Sequence, residues 1–166
     1  MAAKKFIRLV AGVLTEVFGV QSSAGAGNAG DIVALDDTGK IDPSMMPTGV
    51  GADVVMLTAT EALAAGDWIN IYSAGMRKAD ASTPGKPCDG FVLAAVSSGA
   101  VGAAYKEGTN TQVTGQTMGS DVFLSTTPGA GTHTPLSAAG NASQRIGKAV
   151  GATAVDFERG QPITLA

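Results

Sequence analysis

The fold is decided by short runs in which apolar and polar side chains alternate, and the clearest of them is Trp68-Ile69-Asn70-Ile71-Tyr72. Successive side chains of a β-strand point to opposite faces of the sheet, so this alternation predicts strands. The same pattern recurs in Asp121-Val122-Phe123-Leu124-Ser125 and in Ala154-Val155-Asp156-Phe157-Glu158. In the last run the two apolar side chains are predicted to face one way and the two acidic ones the other.

Short apolar runs continue from residue 54 to the C-terminus, separated by turn-forming residues at intervals of roughly ten, which predicts an all-β sandwich or small β-barrel. Strands are predicted near residues 54–58, 67–72, 76–78, 90–96, 100–105, 121–125, 132–136, 145–150 and 154–157. Helix is restricted to one turn at residues 60–64, where Thr60 is expected to act as N-cap. The strand from Phe91 to Val96 is apolar on both faces and is expected to be central or covered on both sides.

Residues 6–17 have two interpretations. A helix is supported by the helical stripe of Phe6, Leu9, Val10, Val13 and Val17. A hairpin is favoured, because β-branched and aromatic residues flank Ala11-Gly12 and Gly tolerates the positive φ of a tight turn. In both forms the segment exposes apolar side chains that it cannot bury by itself. We therefore expect it to dock onto another surface.

Residues 21–30 are small or polar without periodicity, which predicts a flexible linker. A short strand is predicted at residues 31–35, a type I turn at residues 36–39 and a return strand at Lys40-Ile41. Pro43 and Pro47 bracket two methionines and are expected to hold that segment extended. The predicted organisation is a hairpin arm and linker over residues 1–30, a short hairpin and extended connector over residues 31–51, and a β-rich domain over residues 52–166.

The composition of the chain reduces the number of partner classes to consider. Only 15 % of the 166 residues are charged, against roughly 25 % in an ordinary domain, so the surface is expected to repel neighbours weakly. A net charge of -3 provides no basic surface for nucleic acid. No run approaches the ~20 apolar residues of a membrane span, and Arg8 and Glu16 interrupt the stretch that resembles a secretory signal. We expect neither nucleic acid nor membrane as a partner.

Few residues have the chemistry and the spacing that catalysis needs. Asp156 and Glu158 are the only carboxylates at close spacing on one strand face, the pairing that a glycosidase uses, and a solvated outer face is the favoured interpretation. His133 lies in a predicted loop and no nucleophile-elbow motif accompanies it. Cys88 has no basic neighbour closer in sequence than Lys86, which argues against an activated thiolate. A single Cys and a single His also provide neither a disulfide nor a zinc site. No catalytic residue, metal or cofactor is assigned.

Trp68 and Tyr72 are predicted to lie on one face of a strand, where they could form a platform on which a sugar stacks. Packing in the core or at a subunit interface is the favoured interpretation, because aromatic residues make up only 5 % of the chain and its core needs them.

Residues 31–47, DIVALDDTGKIDPSMMP, resemble the AL(D)xxGK(I/L)DxSLLP stretch common near the start of tailed-phage fibre and head-decoration proteins. Met45 and Met46 stand where leucines are usual, a change that conserves volume. Residues 65–71, 77–81, 89–93 and 144–149 are similar to segments of small β-rich capsid decoration, or cement, proteins. The resemblance implies a non-enzymatic virion protein, commonly trimeric, at local three-fold positions of the outer capsid surface. Similar stretches also occur in receptor-binding tail fibres.

We accordingly expect a homotrimer, made in the host cytoplasm, that binds the major capsid protein and stiffens the shell by bridging its subunits. A further spike or fibre protein is an additional candidate partner. Capsid contacts are assigned to Phe6, Ile7, Leu9, Val10, Val13, Leu14 and Val17. The connector anchor is assigned to Ile41, Pro43, Met45, Met46 and Pro47. The subunit interface is assigned to Trp68, Tyr72, Phe91 and Leu93.

Two other functions remain open at this point. A receptor-binding fibre module would recognise host glycans through Trp68 and Tyr72. A hydrolase would rely on Asp156 and Glu158.

Overall fold

The first two strands form the predicted hairpin in the computed structural model, which describes residues 5–46 and 53–166. Strand β1 covers Lys5–Val10, strand β2 covers Val13–Phe18, and the two are antiparallel. Ala11 and Gly12 make the turn with φ angles of 50° and 84°. Positive φ at both central residues gives the turn whose twist matches that of the flanking strands. The segment is therefore a hairpin rather than a helix.

The predicted strand pair at residues 31–41 does not form. Val33 makes only an isolated parallel bridge with Val20. The turn between the expected strands is present, since the Gly39 N–H donates to the Asp36 carbonyl at 3.0 Å and the Asp36 carboxylate accepts from the N–H groups of Thr38 and Lys40. The Asp36 side chain thus accepts hydrogen bonds from backbone N–H groups that would otherwise be available to pair with a neighbouring strand.

Two short 3₁₀ helices occupy the rest of this region. Gly25–Asn28 lies within the predicted linker, and Pro43–Met45 replaces the predicted extended conformation at that point. Pro43 suits the first position of a helical turn because its φ is preset and its missing N–H has no partner there. Pro47 lies outside the described residues. Among the described residues, no helix is long and apolar enough to cross a membrane.

Contacts divide the chain into two compact units, residues 1–51 and residues 52–166. The second unit contains two five-stranded antiparallel sheets. The first sheet has the order β3-β7-β6-β4-β5 and consists of β3 (Val54–Thr58), β4 (Trp68–Tyr72), β5 (Gly75–Lys78), β6 (Gly90–Phe91) and β7 (Val101–Tyr105).

The second sheet has the order β10-β9-β12-β13-β8 and consists of β8 (Thr109–Asn110), β9 (Asp121–Leu124), β10 (Gly131–Thr132), β12 (Arg145–Gly151) and β13 (Ala154–Phe157). A separate pair joins β11 (Ala142–Ser143) to β14 (Ile163–Thr164). The predicted all-β class is confirmed, and in the described residues neither five-stranded sheet closes into a barrel.

Most predicted strands of the second unit are present, and two are much shorter than predicted. The strand expected at residues 90–96 ends at Phe91, and the one expected at 132–136 is Gly131–Thr132. Residues 60–64 are not helical, because Leu63 exchanges backbone hydrogen bonds of 2.9 Å with Val96 in both directions. Pairing with a distant residue here overrides a weak local preference for helix.

The first sheet is buried on both faces at β4. Trp68 belongs to a core that it shares with Phe91 and with residues of the second sheet such as Leu124. The adjacent Ile69, on the opposite face, belongs to a second core with Met76 and with the segments 59–63 and 92–96. One face is thus covered by the second sheet and the other by the segments 59–63 and 92–96.

Candidate functional site

The register of the hairpin sorts its side chains onto two faces, because cross-strand partners share a face. One face, here called the Leu9 face, carries the pairs Lys5–Phe18, Ile7–Glu16 and Leu9–Leu14. The opposite face carries the pairs Phe6–Val17, Arg8–Thr15 and Val10–Val13. Both faces are mainly apolar, so the hairpin lacks the polar face that normally lies toward water.

The Leu9 face is exposed to an unusual degree. Its four apolar side chains, Ile7, Leu9, Leu14 and Phe18, have between 55 and 74 % of their surface accessible. The buried hydrophobic residues of the described chain all lie at Ala59 or beyond it. The described residues of the first unit therefore form no apolar core of their own, and a contiguous exposed apolar patch of this kind is typical of an interaction site.

The charges of the hairpin lie away from its tip and are paired. The Lys5 ammonium lies 2.7 Å from the Glu16 carboxylate and 5.0 Å from the centre of the Phe18 ring. Arg8 lies 3.5 Å from Asp31. Exposed ion pairs of this kind contribute at most about 1 kcal/mol. They leave the tip between Val10 and Val13 uncharged and its apolar contacts available.

The remainder of the first unit adds further exposed apolar groups. About half of the surface of Ile32, Val33, Leu35 and Ile41 is accessible. Hydrogen bonds within the unit hold this segment, since the Gln21 amide donates to the Leu35 carbonyl and the Ser23 N–H donates to the Ser44 hydroxyl, both at 2.8 Å.

The residues assigned to the capsid contact fall into two groups. Ile7, Leu9, Val10, Val13 and Leu14 are exposed. Phe6 and Val17, which lie opposite each other, are half-buried. Among the connector residues Ile41 and Met46 are exposed and Met45 is half-buried, whereas the Pro43 side chain and Pro47 lie outside what the structure describes.

Phe18 was missed by the sequence analysis, although it belongs to the Leu9 face. Extending the predicted strand by one residue on each side would have paired it with Lys5 and placed it beside Ile7.

Two of the residues assigned to the subunit interface need correction. Trp68 and Phe91 are each 1 % exposed, and their rings lie 5.8 Å apart in an edge-on arrangement. Phe157 of the second sheet packs against both rings. The side chains of Trp68 and Phe91 therefore have no surface left for another subunit or for a sugar.

The other two interface residues are partly accessible. Tyr72 is half-buried, its hydroxyl donates to the Thr60 hydroxyl at 3.1 Å, and the Arg77 guanidinium lies 4.2 Å from its ring centre. Leu93 is half-buried against the core that contains Trp68.

Asp156 of β13 and Glu158, which follows that strand, are both held by hydrogen bonds. Asp156 accepts from the Thr109 hydroxyl at 3.3 Å. Glu158 and Asp121 both accept from Arg145, whose pKa these contacts raise. These bonds link neighbouring strands of the second sheet.

His133 is half-buried at the same sheet. Its Nδ1 lies 3.2 Å from the Asp121 carbonyl oxygen, and its Nε2 accepts from the Thr117 N–H at 3.4 Å. Both ring nitrogens thus contact the backbone, and neither contact joins the ring to a carboxylate or hydroxyl of the kind that a catalytic triad uses.

Cys88 is fully buried in the core that also contains Trp68. Its backbone N–H donates to the Gln144 amide oxygen at 2.7 Å, and the Gln144 amide donates back to the Cys88 carbonyl at 2.9 Å. Burial raises the pKa of the thiol to about 12. The thiol therefore stays protonated and inaccessible at neutral pH.

In the part of the chain that the structure describes, no cluster of three or more His, Cys, Asp or Glu residues could hold a metal ion. The chain matches no family model, no curated protein and no solved structure in the comparisons made.

Proposed function

We propose that this chain is a structural virion protein that binds the outer surface of a phage capsid as a homotrimer, and that the hairpin makes the capsid contact. The observation that carries the proposal is the exposed Leu9 face on a unit in which residues 5–46 form no apolar core. The likeness of residues 31–47 to the phage decoration motif supports it independently of that surface.

The hairpin offers two kinds of contact to a capsid protein. Its apolar side chains would each contribute about 1.5–3 kcal/mol if they became fully buried. Its two strands pair with no further strand among the described residues, so a capsid strand can add to a free edge through backbone hydrogen bonds. Three hairpins per trimer would act together, because linked sites bind with a high effective concentration.

A glycan-recognising fibre module is not proposed. That function depended on an aromatic platform that includes Trp68, and Trp68 is enclosed between the two sheets.

The test is binding of the full chain to emptied capsids of the phage that encodes it, measured by co-sedimentation. The variant Leu9→Lys with Leu14→Glu removes two apolar side chains from the tip. The residues are cross-strand partners, so the new opposite charges should preserve the hairpin. We expect binding to weaken by at least about tenfold, since the lost burial corresponds to more than 1.4 kcal/mol.

The matched control is Met118→Lys, which places a charge on an equally exposed apolar side chain of the second unit. It should bind capsids as the parent does. Undiminished binding of the hairpin variant, with circular dichroism showing a folded chain, would refute the proposed role of the hairpin.

A further inference from the structure

The backbone of the hairpin has two edges, and the register shows which groups point toward each. In a two-residue hairpin the residues that flank the turn form a hydrogen-bonded pair, here Val10 and Val13. Hydrogen-bonded and non-hydrogen-bonded pairs then alternate along an antiparallel ladder. Lys5, Ile7 and Leu9 therefore direct their backbone N–H and carbonyl groups away from β2, toward the outer edge of β1.

The outer edge of β2 is already in use just beyond the end of the strand. By the same alternation the even-numbered residues of β2 direct their backbone groups outward, and Val20 is the next in line. The Val20 N–H donates to the Ile32 carbonyl and the Val20 carbonyl accepts from the Ala34 N–H, both at 2.8 Å. The chain thus continues this edge itself with the segment 32–34.

An ion pair holds the same segment beside β2. Arg8 is the only charged residue of β1 after Lys5, and its guanidinium lies 3.5 Å from the Asp31 carboxylate. Asp31 directly precedes the segment 32–34. The Arg8 side chain is therefore engaged on the β2 side of the hairpin and does not protect the β1 edge.

The outer edge of β1 is open and lacks the usual protection. Among the described residues β1 pairs only with β2. Proteins normally protect a free edge with lysine, proline, a bulge or an inward-pointing charge. From Phe6 to Val10 the edge has no proline, its register with β2 is regular, and its one charge is paired with Asp31. Another strand can pair with an edge of this kind through its backbone.

We propose that the β1 edge, from Lys5 to Leu9, receives an extended strand of the major capsid protein. The inference rests on the proposed function and assigns its backbone contact to one edge of the hairpin. An added strand would form backbone hydrogen bonds with β1 and extend the Leu9 face with its own side chains. A second copy of this chain fits less well, because pairing of two identical β1 edges relates the copies by a two-fold axis, whereas the proposed homotrimer has three-fold symmetry.

The first test removes the donor at the centre of this edge and leaves the hydrogen bonds of the hairpin in place. In Ile7→Pro the lost N–H is an outward one, and an edge strand tolerates proline at such a position. Ile7→Ala also loses the isoleucine side chain but keeps the N–H. In co-sedimentation with emptied capsids we expect Ile7→Pro to bind at least about tenfold more weakly than Ile7→Ala, because a buried acceptor of the added strand loses its partner.

Glu16→Pro is the matched control on β2. Glu16 lies opposite Ile7, and its N–H points outward on the other edge of the hairpin. This variant should bind capsids as the parent does. Equal binding of Ile7→Pro and Ile7→Ala would overturn the assignment, and so would a loss in Glu16→Pro as large as that in Ile7→Pro.

The second measurement uses the parent chain, so it does not depend on the folding of any variant. Outward N–H groups exchange with solvent in the free chain and are protected when a strand pairs with them. On emptied capsids the amides of Ile7 and Leu9 should exchange at least about tenfold more slowly, while those of Leu14 and Glu16 keep their rates. The chain is released from the capsids after exchange and read residue by residue by NMR.

The outcomes separate this inference from the proposed function. New protection at Leu14 and Glu16 would overturn the choice of edge, and no new protection at either edge would overturn strand addition. In both cases the capsid contact of the Leu9 face stands if Leu9→Lys with Leu14→Glu still loses binding. Protection of Ile7 and Leu9 that grows with the concentration of the free chain would identify a second copy as the occupant and overturn the proposal. A parent chain that binds no capsids removes this inference and the proposed function together.

Discussion

At the scale of single residues, burial determines which groups are chemically available. Gln144 is 1 % exposed, yet its amide satisfies both backbone groups of Cys88 and the Gly160 carbonyl. A buried polar group without partners would cost about 1–3 kcal/mol. This reciprocal pair joins the segment before β6 to the start of β12, so Cys88 acts through its backbone and its packing rather than through its thiol.

The Cys88 thiol should be inert to thiol reagents in the folded chain and should react at once after unfolding in urea. Its pKa is raised from 9.0 to about 12. Its stabilising contribution is therefore complete below about pH 9 and is lost as the pH rises through about 12. Modification kinetics with a chromogenic disulfide at pH 8 test this. The reactive control is Met56→Cys, because Met56 is 61 % exposed. Rapid modification of the folded parent would contradict the buried position.

At the scale of elements, the hairpin depends on one strained residue. Ala11 is the only described residue other than Gly with a positive φ. A side chain in that conformation costs about 1–2 kcal/mol, and Asn tolerates it better than Ala does. The turn residues and the alternation together make this element predictable, because every interaction that defines it lies within about fourteen residues of sequence.

Ala11→Asn should stabilise the hairpin by about 0.5–1 kcal/mol, because Asn-Gly is the preferred pair for this turn. Slower amide hydrogen exchange across β1 and β2 would show the gain. Ala11→Val is the opposite control, since a β-branched residue is strongly disfavoured at positive φ. Equal exchange rates in Asn, Ala and Val variants would mean that the turn does not limit hairpin stability.

At the scale of the larger unit, the two cores share one sheet. Trp68 and Ile69 are neighbours on β4 and belong to different cores. Loss of either core would expose one face of the same strands. The second unit is therefore expected to unfold in a single transition, as small domains usually do.

Met76→Ala should lower the free energy of unfolding by about 2–5 kcal/mol, the usual cost of such a truncation in a core. Met76 lies in the core that does not contain Trp68, so urea unfolding followed by Trp68 fluorescence tests the coupling. The fluorescence and circular dichroism transitions should shift together. Met118→Ala, at an exposed position, should change stability by less than about 0.5 kcal/mol. A shift confined to circular dichroism would show that the cores unfold separately.

The amino-acid sequence by itself determined the all-β class, the hairpin at Ala11-Gly12, most strands of the second unit and the apolar character of the first, because alternation, turn residues and side-chain polarity are local properties. Only the tertiary structure decided that Trp68 and Phe91 are enclosed, that Leu63 pairs with Val96 instead of forming a helix, and that Met56 and Val101 stay exposed. Each of these depends on which distant segment covers a given strand, and one β-strand pattern is compatible with several such partners.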